Sequence, residues 1–250
     1  KHAYAANFSA ALGGSAELNE QERQYVAQKG TVTVAVPSDW HPMICLNNDD
    51  THDGLVPNIL AKVSDYSGLE FSYLYCDSYV EAIQMVQRGE ADMLGFFFGT
   101  EEEAIDKGLA LTMPYVEMDS ILVRNKKSSY PATGLTGAIL DGREMPNDII
   151  ADDIKYYADV ADALMDVNSG DVDFFYGTSP IQEYIIQQNN LTNVVQVNLI
   201  NETMDIGFAV SIPVPPELFT IINKAINSMS DDEKAAISSQ NIVSIGTTKM

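Results

Sequence analysis

Short apolar runs rich in β-branched and aromatic residues alternate along this chain with stretches whose apolar positions recur every three or four residues. Residues 18–28 predict a helix with Glu20 and Glu22 in its first turn, where negative charge is favourable. Residues 31–36 predict a buried strand and 37–43 a loop at its carboxyl end. Residues 44–46 and 54–55 flank the turn-rich 47–53 as a small hairpin. A helix over 56–66 is stopped by Gly68, a strand follows at 70–75, a helix at 78–88 is ended by Gly89, and a third strand spans 91–97. Strands separated by helices of this length imply β-α-β units, hence a parallel sheet with helices on its faces. Further on, 121–124 is extended and leads into polar, turn-rich residues 125–133. A strand at 137–140 and a helix starting near Asn147 follow, and 194–199 and 206–210 again resemble strands. Pro213, Pro215 and Pro216 precede a helix over 217–229, and Ser230 with Glu233 forms a capping box for a last helix over 231–239.

The pattern repeats itself. Residues 81–92, ending Arg88-Gly89-Glu90-Ala91-Asp92, precede Phe96-Phe97-Phe98-Gly99-Thr100; residues 162–173, ending Ser169-Gly170-Asp171-Val172-Asp173, precede Phe174-Phe175-Tyr176-Gly177-Thr178. Each copy is an amphipathic helix, a glycine stop, an acidic turn and a buried aromatic strand, so two similar α/β lobes are expected. Residues 1–17, small and polar, are read as a linker. Lobe 1 is assigned 18–123 and 207–250, and lobe 2 is assigned 124–206, with hinges near 121–126 and 203–207.

Composition narrows the functional classes. Hydrophobic residues make up 46% of the chain, too many for a disordered one. The longest apolar runs, such as 93–98, are far shorter than a bilayer requires, and any signal peptide or anchor is expected to lie outside this stretch. The net charge of −22, from 36 acids against 14 bases, repels polyanions and makes nucleic acid and anionic lipid poor partners. Cys45 and Cys76 allow a disulfide or two part-buried thiols. His2, His41 and His52 lack metal-ligand spacing, so neither a metal nor a cofactor is expected.

Several pieces in this order resemble the type 2 periplasmic solute-binding proteins of the amino-acid-binding class. They are Val34-Ala35-Val36 leading to Trp40-His41-Pro42, Asp53-Gly54-Leu55 before a helix that ends at Gly68-Leu69, Arg88 to Asp92, Thr100-Glu101-Glu102 and Met113-Pro114-Tyr115. The opening Leu18-Asn19-Glu20-Gln21-Glu22-Arg23 and the segment 173–193 look most like the Venus-flytrap sensor domains of membrane-bound histidine kinases. The resemblance implies an α/β, two-lobed type 2 fold, each lobe a mainly parallel sheet flanked by helices. It also implies a small-molecule ligand bound in an interlobe cleft with hinge closure, and an extracytoplasmic place, tethered to a membrane in the full-length protein.

Ligands of open α/β sheets lie beyond the carboxyl ends of the strands. Candidate ligand contacts are therefore Trp40, Tyr79, Phe96, Phe98, Thr100, Arg143 and Thr178, with Tyr130 and Tyr176 as further aromatics. Trp40 has an alternative role as a plug of its own lobe's core, and Arg143 one as a solvated surface residue. The family's arginine for an α-carboxylate would fall at Glu103, and its acid for an α-ammonium at Thr178; with both anchors missing, a typically held α-amino acid is not expected. Arg143, in a loop before the helix expected near Asn147, is the named replacement cation.

Three classes of function are compatible with these residues. The leading one is a sensor domain of a membrane signalling receptor, and the second is a solute-binding protein of an ABC transporter for amino acids or related polar molecules. An enzyme with Glu103 as general base is the third; no nucleophile elbow, phosphate loop or metal cluster accompanies it, so no catalytic residue is assigned.

Overall fold

The computed structural model of the chain describes residues 17–242, so the linker assigned to the first residues lies almost wholly outside the described part. The described residues divide into two compact units: 17–77, 81–116 and 205–242 form the first, and 78–80 and 117–204 the second.

The first unit begins with α1 (Glu20–Lys29), whose N-terminus is closed by a reciprocal cap. The Asn19 side chain accepts from Glu22 N–H at 2.8 Å, and Glu22 accepts from Asn19 N–H at 2.9 Å. β1 (Thr31–Pro37) follows, then the hairpin β2 (Cys45–Leu46) and β3 (His52–Asp53). Gly54, expected in that hairpin, instead precedes α2 (Leu55–Ser67) with φ of 118°; a Cβ there would meet the Met43 carbonyl oxygen at 2.6 Å. β4 (Glu70–Cys76), α3 (Tyr79–Gln87), β5 (Met93–Phe97) and α4 (Glu101–Asp106) complete the run.

β6 (Leu109–Asn125) carries the chain from the first unit into the second. There follow β7 (Thr136–Leu140), β8 (Asp153–Tyr157), α5 (Val160–Ser169), β9 (Phe174–Thr178) and α6 (Ser179–Gln188). β10 (Val194–Ser211) returns the chain to the first unit, where α7 (Pro216–Ser228) and α8 (Asp231–Ile242) end the described part.

Strand order is β4-β1-β5-β10 through the first unit and β6-β9-β7-β8 through the second. In each, three parallel strands are closed by one antiparallel neighbour: β10 beside β5, and β6 beside β9. Phe96, Phe97 and Phe98 in the first unit and Phe174 and Phe175 in the second are at most 2% exposed. Each such ring contributes about 1.5–3 kcal/mol by leaving water.

The repeat extends to individual hydrogen bonds. After α3, Gly89 N–H donates to Val86 O, and Glu90 and Ala91 N–H both donate to Met85 O; after α5, Gly170 donates to Val167 O, and Asp171 and Val172 to Asp166 O. Gly89 and Gly170 have φ of 76° and 87°, the left-handed backbone that favours glycine. Asp92 N–H then donates to Thr33 O, and Asp92 Oδ2 accepts from Thr33 N–H at 2.9 Å; Asp173 exchanges the same pair with Thr136, at 2.8 Å for the side-chain bond. Each aspartate thereby clamps the start of its strand to the parallel neighbour.

Two expectations are corrected. No helix starts near Asn147: residues 141–152 are turns and irregular chain that lead into β8. Pro146 breaks helical hydrogen bonding, Ile149 N–H closes a turn onto Pro146 O, and the Ile149 side chain is drawn into a cluster with Leu122, Leu135, Ile139, Phe174 and Tyr176. The two strand-like stretches at 194–199 and 206–210 are one strand, since ladder pairing carries the backbone through polar residues that lack a hydrophobic pattern.

Candidate functional site

In the first unit the candidate residues converge at the carboxyl ends of β1 and β5. A tight loop fixes Trp40: its N–H donates to Ile44 O at 2.7 Å, and its carbonyl accepts from Met43 N–H at 2.6 Å and Ile44 N–H at 3.0 Å. The half-buried indole lies 5.6 Å from the Phe96 ring and 6.2 Å from Phe98, nearly parallel to the latter at 22°. Phe96 and Phe98 are 5.2 Å apart. Such ring pairs add about 0.5–1.5 kcal/mol each beyond their burial, so the three form a rigid aromatic wall.

Beside it, Thr100 is committed to structure. Its hydroxyl accepts from Glu103 N–H at 3.1 Å and approaches the Glu103 carboxylate at 3.4 Å, capping α4. Gly99 leaves room next to it, since a Cβ there would fall 2.8 Å from Glu103 Oε2 and from a Phe97 ring carbon, and side chains would have to shift. Cys45 lies 3.4 Å from His41 Nδ1. Burial, helped by Asp39 and Asp53, pushes its thiol up to about 11, and burial lowers His41 below the usual histidine value, so the pair is neutral at neutral pH. Cys45 and Cys76 are free thiols.

The second unit presents a different chemistry at the ends of β7 and β9. Arg143 is only 7% exposed and holds its guanidinium carbon 5.6 Å from the centre of the Tyr176 ring, so the surface alternative is overturned. Burial raises the Tyr176 phenol above its ordinary value, against the opposing influence of a hydrogen bond with Ser120 and the charge of Arg143. Burial also raises the carboxyl of Glu202, reinforced by repulsion from and a hydrogen bond with Asp148, while a hydrogen bond with Tyr176 opposes it. Arg143, Tyr176, Ser120, Glu202 and Asp148 thus form one linked polar group. Glu202, Asp148 and Ser120 are missing from the sequence-derived set; Glu202 falls in the polar middle of β10, where no local pattern marks it out.

Thr178 is 4% exposed and opens α6 without a capping hydrogen bond from its side chain, unlike Thr100. Tyr79 is fully buried at the start of α3 and is grouped with the second unit. A Cβ at Gly142 would lie 3.2 Å from a carbon of the Tyr79 ring and of the Val80 side chain. Tyr130 is a core residue: its hydroxyl accepts from Ile150 N–H at 3.1 Å and its ring meets Phe174 edge-on at 5.2 Å. Among the described residues no group of three or more His, Cys, Asp or Glu could hold a metal ion, and no helix is long and apolar enough to cross a membrane.

Known proteins share this architecture. The virulence sensor protein BvgS of Bordetella pertussis is 25% identical over 240 residues, covering 88% of this chain and 18% of BvgS; that of Bordetella bronchiseptica is 24% identical over the same length. The chain therefore spans about a fifth of these relatives. The crystal structure of the B. pertussis BvgS periplasmic VFT2 domain superposes with a TM-score of 0.75 at 23% identity, over 89% of this chain and 98% of that one. An ancestral arginine-binding protein bound to glutamine gives a TM-score of 0.70 at 19% identity, over 85% of this chain and 97% of that one. With its repeated α/β units and a match to the family spanning residues 32–243, the chain belongs to the bacterial extracellular solute-binding proteins, family 3.

Proposed function

We propose that this chain is the extracytoplasmic, solute-sensing domain of a membrane-tethered signalling receptor. Its recognition residues are Trp40, Phe96 and Phe98 in the first unit and Arg143, Tyr176 and Thr178 in the second. The observation that carries the reading is the aromatic wall. Three rings fixed at strand ends offer a stacking surface for a planar or apolar solute, and the indole is only partly covered. The curated relatives are sensor proteins, which favours this reading over a transport protein.

The same residues argue against an α-amino acid held in the family's usual manner. Glu103 stands where the resemblance implies an arginine, and its backbone N–H is tied to the Thr100 cap. Thr178 offers a hydroxyl where an acid would hold an ammonium group. The reading assigns no bond-making step to the chain: the Cys45 thiol is neutral and Glu103 belongs to a helix cap.

The test is a thermal-shift screen of amino acids, amines, nucleosides and small sugars. A solute of this class raises the melting temperature of the wild-type chain, and Trp40→Ala and Arg143→Gln each abolish that rise while remaining folded. A panel that leaves the melting temperature unmoved throughout removes the basis for small-molecule sensing.

A further inference from the structure

The repeat leaves each unit with an edge strand, β4 in the first and β8 in the second, and the two edges are treated differently. β4 is guarded. Its Tyr73 and Tyr75 are half-buried, with His52 of β3 at 4.7 Å and 5.7 Å from their rings and hydrogen-bonded to the Tyr75 hydroxyl. β8 is open. Asp153, Ile154, Lys155 and Tyr156 are all exposed, Ile154 by 40% and Tyr156 by 52%, and no described strand lies on the outer side. With Ile150, also 52% exposed, they supply three of the seven large hydrophobic side chains left in solvent among the described residues.

The register decides which backbone groups face outward. Asp153 N–H donates to Leu135 O, and Asp141 N–H donates to Tyr157 O, with β7 and β8 paired from Thr136↔Asp153 to Leu140↔Tyr157. A strand residue sends its N–H and C=O to one side, and successive residues alternate. Residues 153, 155 and 157 are therefore spent on β7, and those of Ile154 and Tyr156 point to the open edge.

We propose that this edge pairs with the β8 edge of a second copy of the chain, antiparallel across a two-fold axis through Ile154. In this register Ile154 faces Ile154 as a hydrogen-bonded pair, and Asp153 faces Lys155 twice, as non-hydrogen-bonded pairs whose Cα atoms approach to about 4.5 Å. Shifting the axis to Lys155 sets two lysines opposite one another, which is destabilising. A lysine on an edge ordinarily deters strand addition. Here Asp153 of a second copy answers it, so the edge repels strange strands and accepts its own kind. The β4 edge has no such self-match, because Glu70 is its only charged residue.

Sedimentation velocity of the whole chain over a wide concentration range, with cysteine cross-linking, tests the pairing. The wild type is expected to dimerise reversibly. Asp153→Lys, Lys155→Asp and Ile154→Pro, which removes only an outward N–H, each raise the dissociation constant about tenfold. The double swap Asp153→Lys with Lys155→Asp restores it. Lys155 also lies 3.6 Å from Asp166, and that pair stays broken in the swap, so rescue reads the cross-copy pairs alone. In a background of Cys45→Ala and Cys76→Ala, Ile154→Cys forms a disulfide dimer and Lys155→Cys does not, because only the former meets its own copy at a bridgeable distance. A chain that is monomeric throughout and not cross-linked by Ile154→Cys overturns the proposal, as does a dimer indifferent to all three β8 variants. The cross-linking result stands even if a charge variant fails to fold.

Discussion

The two α/β repeats share one frame and carry opposite chemistry at its ends. Asp92 and Asp173 clamp their strands through the same pair of backbone contacts, to Thr33 and Thr136, after the same glycine turn. Beyond the clamp the copies part. Eight positions separate Asp92 from Thr100 and five separate Asp173 from Thr178. The first copy ends in stacked rings, the second in a tyrosine that meets a buried arginine and feels two acids. Frame residues answer to backbone geometry, which both copies share; end residues answer to whatever they contact, and each copy is free to differ there.

The deepest asymmetry lies in buried charge. In the first unit Lys224 of α7 donates to Glu22 at 2.6 Å and to Glu17 O at 3.1 Å, and Thr220 donates to Glu22 at 3.0 Å. Lys224→Met leaves Glu22, 2% exposed, without its cation and is expected to cost about 3–5 kcal/mol in urea unfolding. A loss below about 1 kcal/mol would mean that water reaches Glu22. The pair also sets an acid limb. Burial works to raise the Glu22 carboxyl, but the hydrogen bonds from Asn19, Lys224 and Thr220 outweigh it and hold it below its ordinary value. Its stabilisation is therefore complete above the unfolded value of 4.5 and is lost as pH falls through the lower folded value. In Glu22→Gln that part of the acid loss disappears.

The shared frame gives the next largest effect. Asp173→Ala frees the Thr136 N–H and the Ser128 hydroxyl, which donates at 2.7 Å; Asp92→Ala frees the Thr33 N–H and Lys29, an ion pair at 2.8 Å. Each is expected to cost about 2–3 kcal/mol, which for a chain of this size lowers the melting temperature by roughly 4–12 °C. Equal losses would establish the clamps as energetic equivalents. A loss in one alone would reduce the likeness to geometry.

This frame was legible in the sequence because its signals are local: a glycine after an amphipathic helix, an aspartate, then an aromatic run. Of the candidate site, only the gathering of Trp40, Phe96 and Phe98 was legible, because each is constrained by a strand end. Arg143 stood out as a cation, yet its burial could not be read, since the chain around it is irregular and the helix expected near Asn147 gives way to turns set by Pro146 and Ile149. Glu202 and Asp148 are brought together from segments more than fifty positions apart, for which no local pattern exists.

The two threonines at the strand ends offer a smaller contrast. Thr100→Val removes a cap and is expected to cost about 1 kcal/mol, whereas Thr178→Val removes no cap and leaves thermal stability nearly unchanged. If Thr178 serves recognition, its substitution weakens a solute-induced thermal shift instead; Thr100→Val lowers the baseline without altering that shift.

The smallest effect has the opposite pH sign to that of Glu22. Glu202 has its carboxyl raised, by burial first and by Asp148 second, so the folded chain binds this proton more readily than the unfolded one. Its ionised form therefore costs stability above the folded value, and the cost fades as pH falls towards the ordinary 4.5. Glu202→Gln is expected to raise stability at neutral pH by less than about 1 kcal/mol, part of the gain being lost with the Tyr176 hydrogen bond, and to give no gain in acid. Urea melts of the wild type, Glu22→Gln and Glu202→Gln across the acid range would separate the units: one variant flattens the loss on acidification, the other steepens it. Two variants bending the profile the same way would mean that these carboxyls of the two units are held alike, and the contrast between the units would then be one of shape and not of charge.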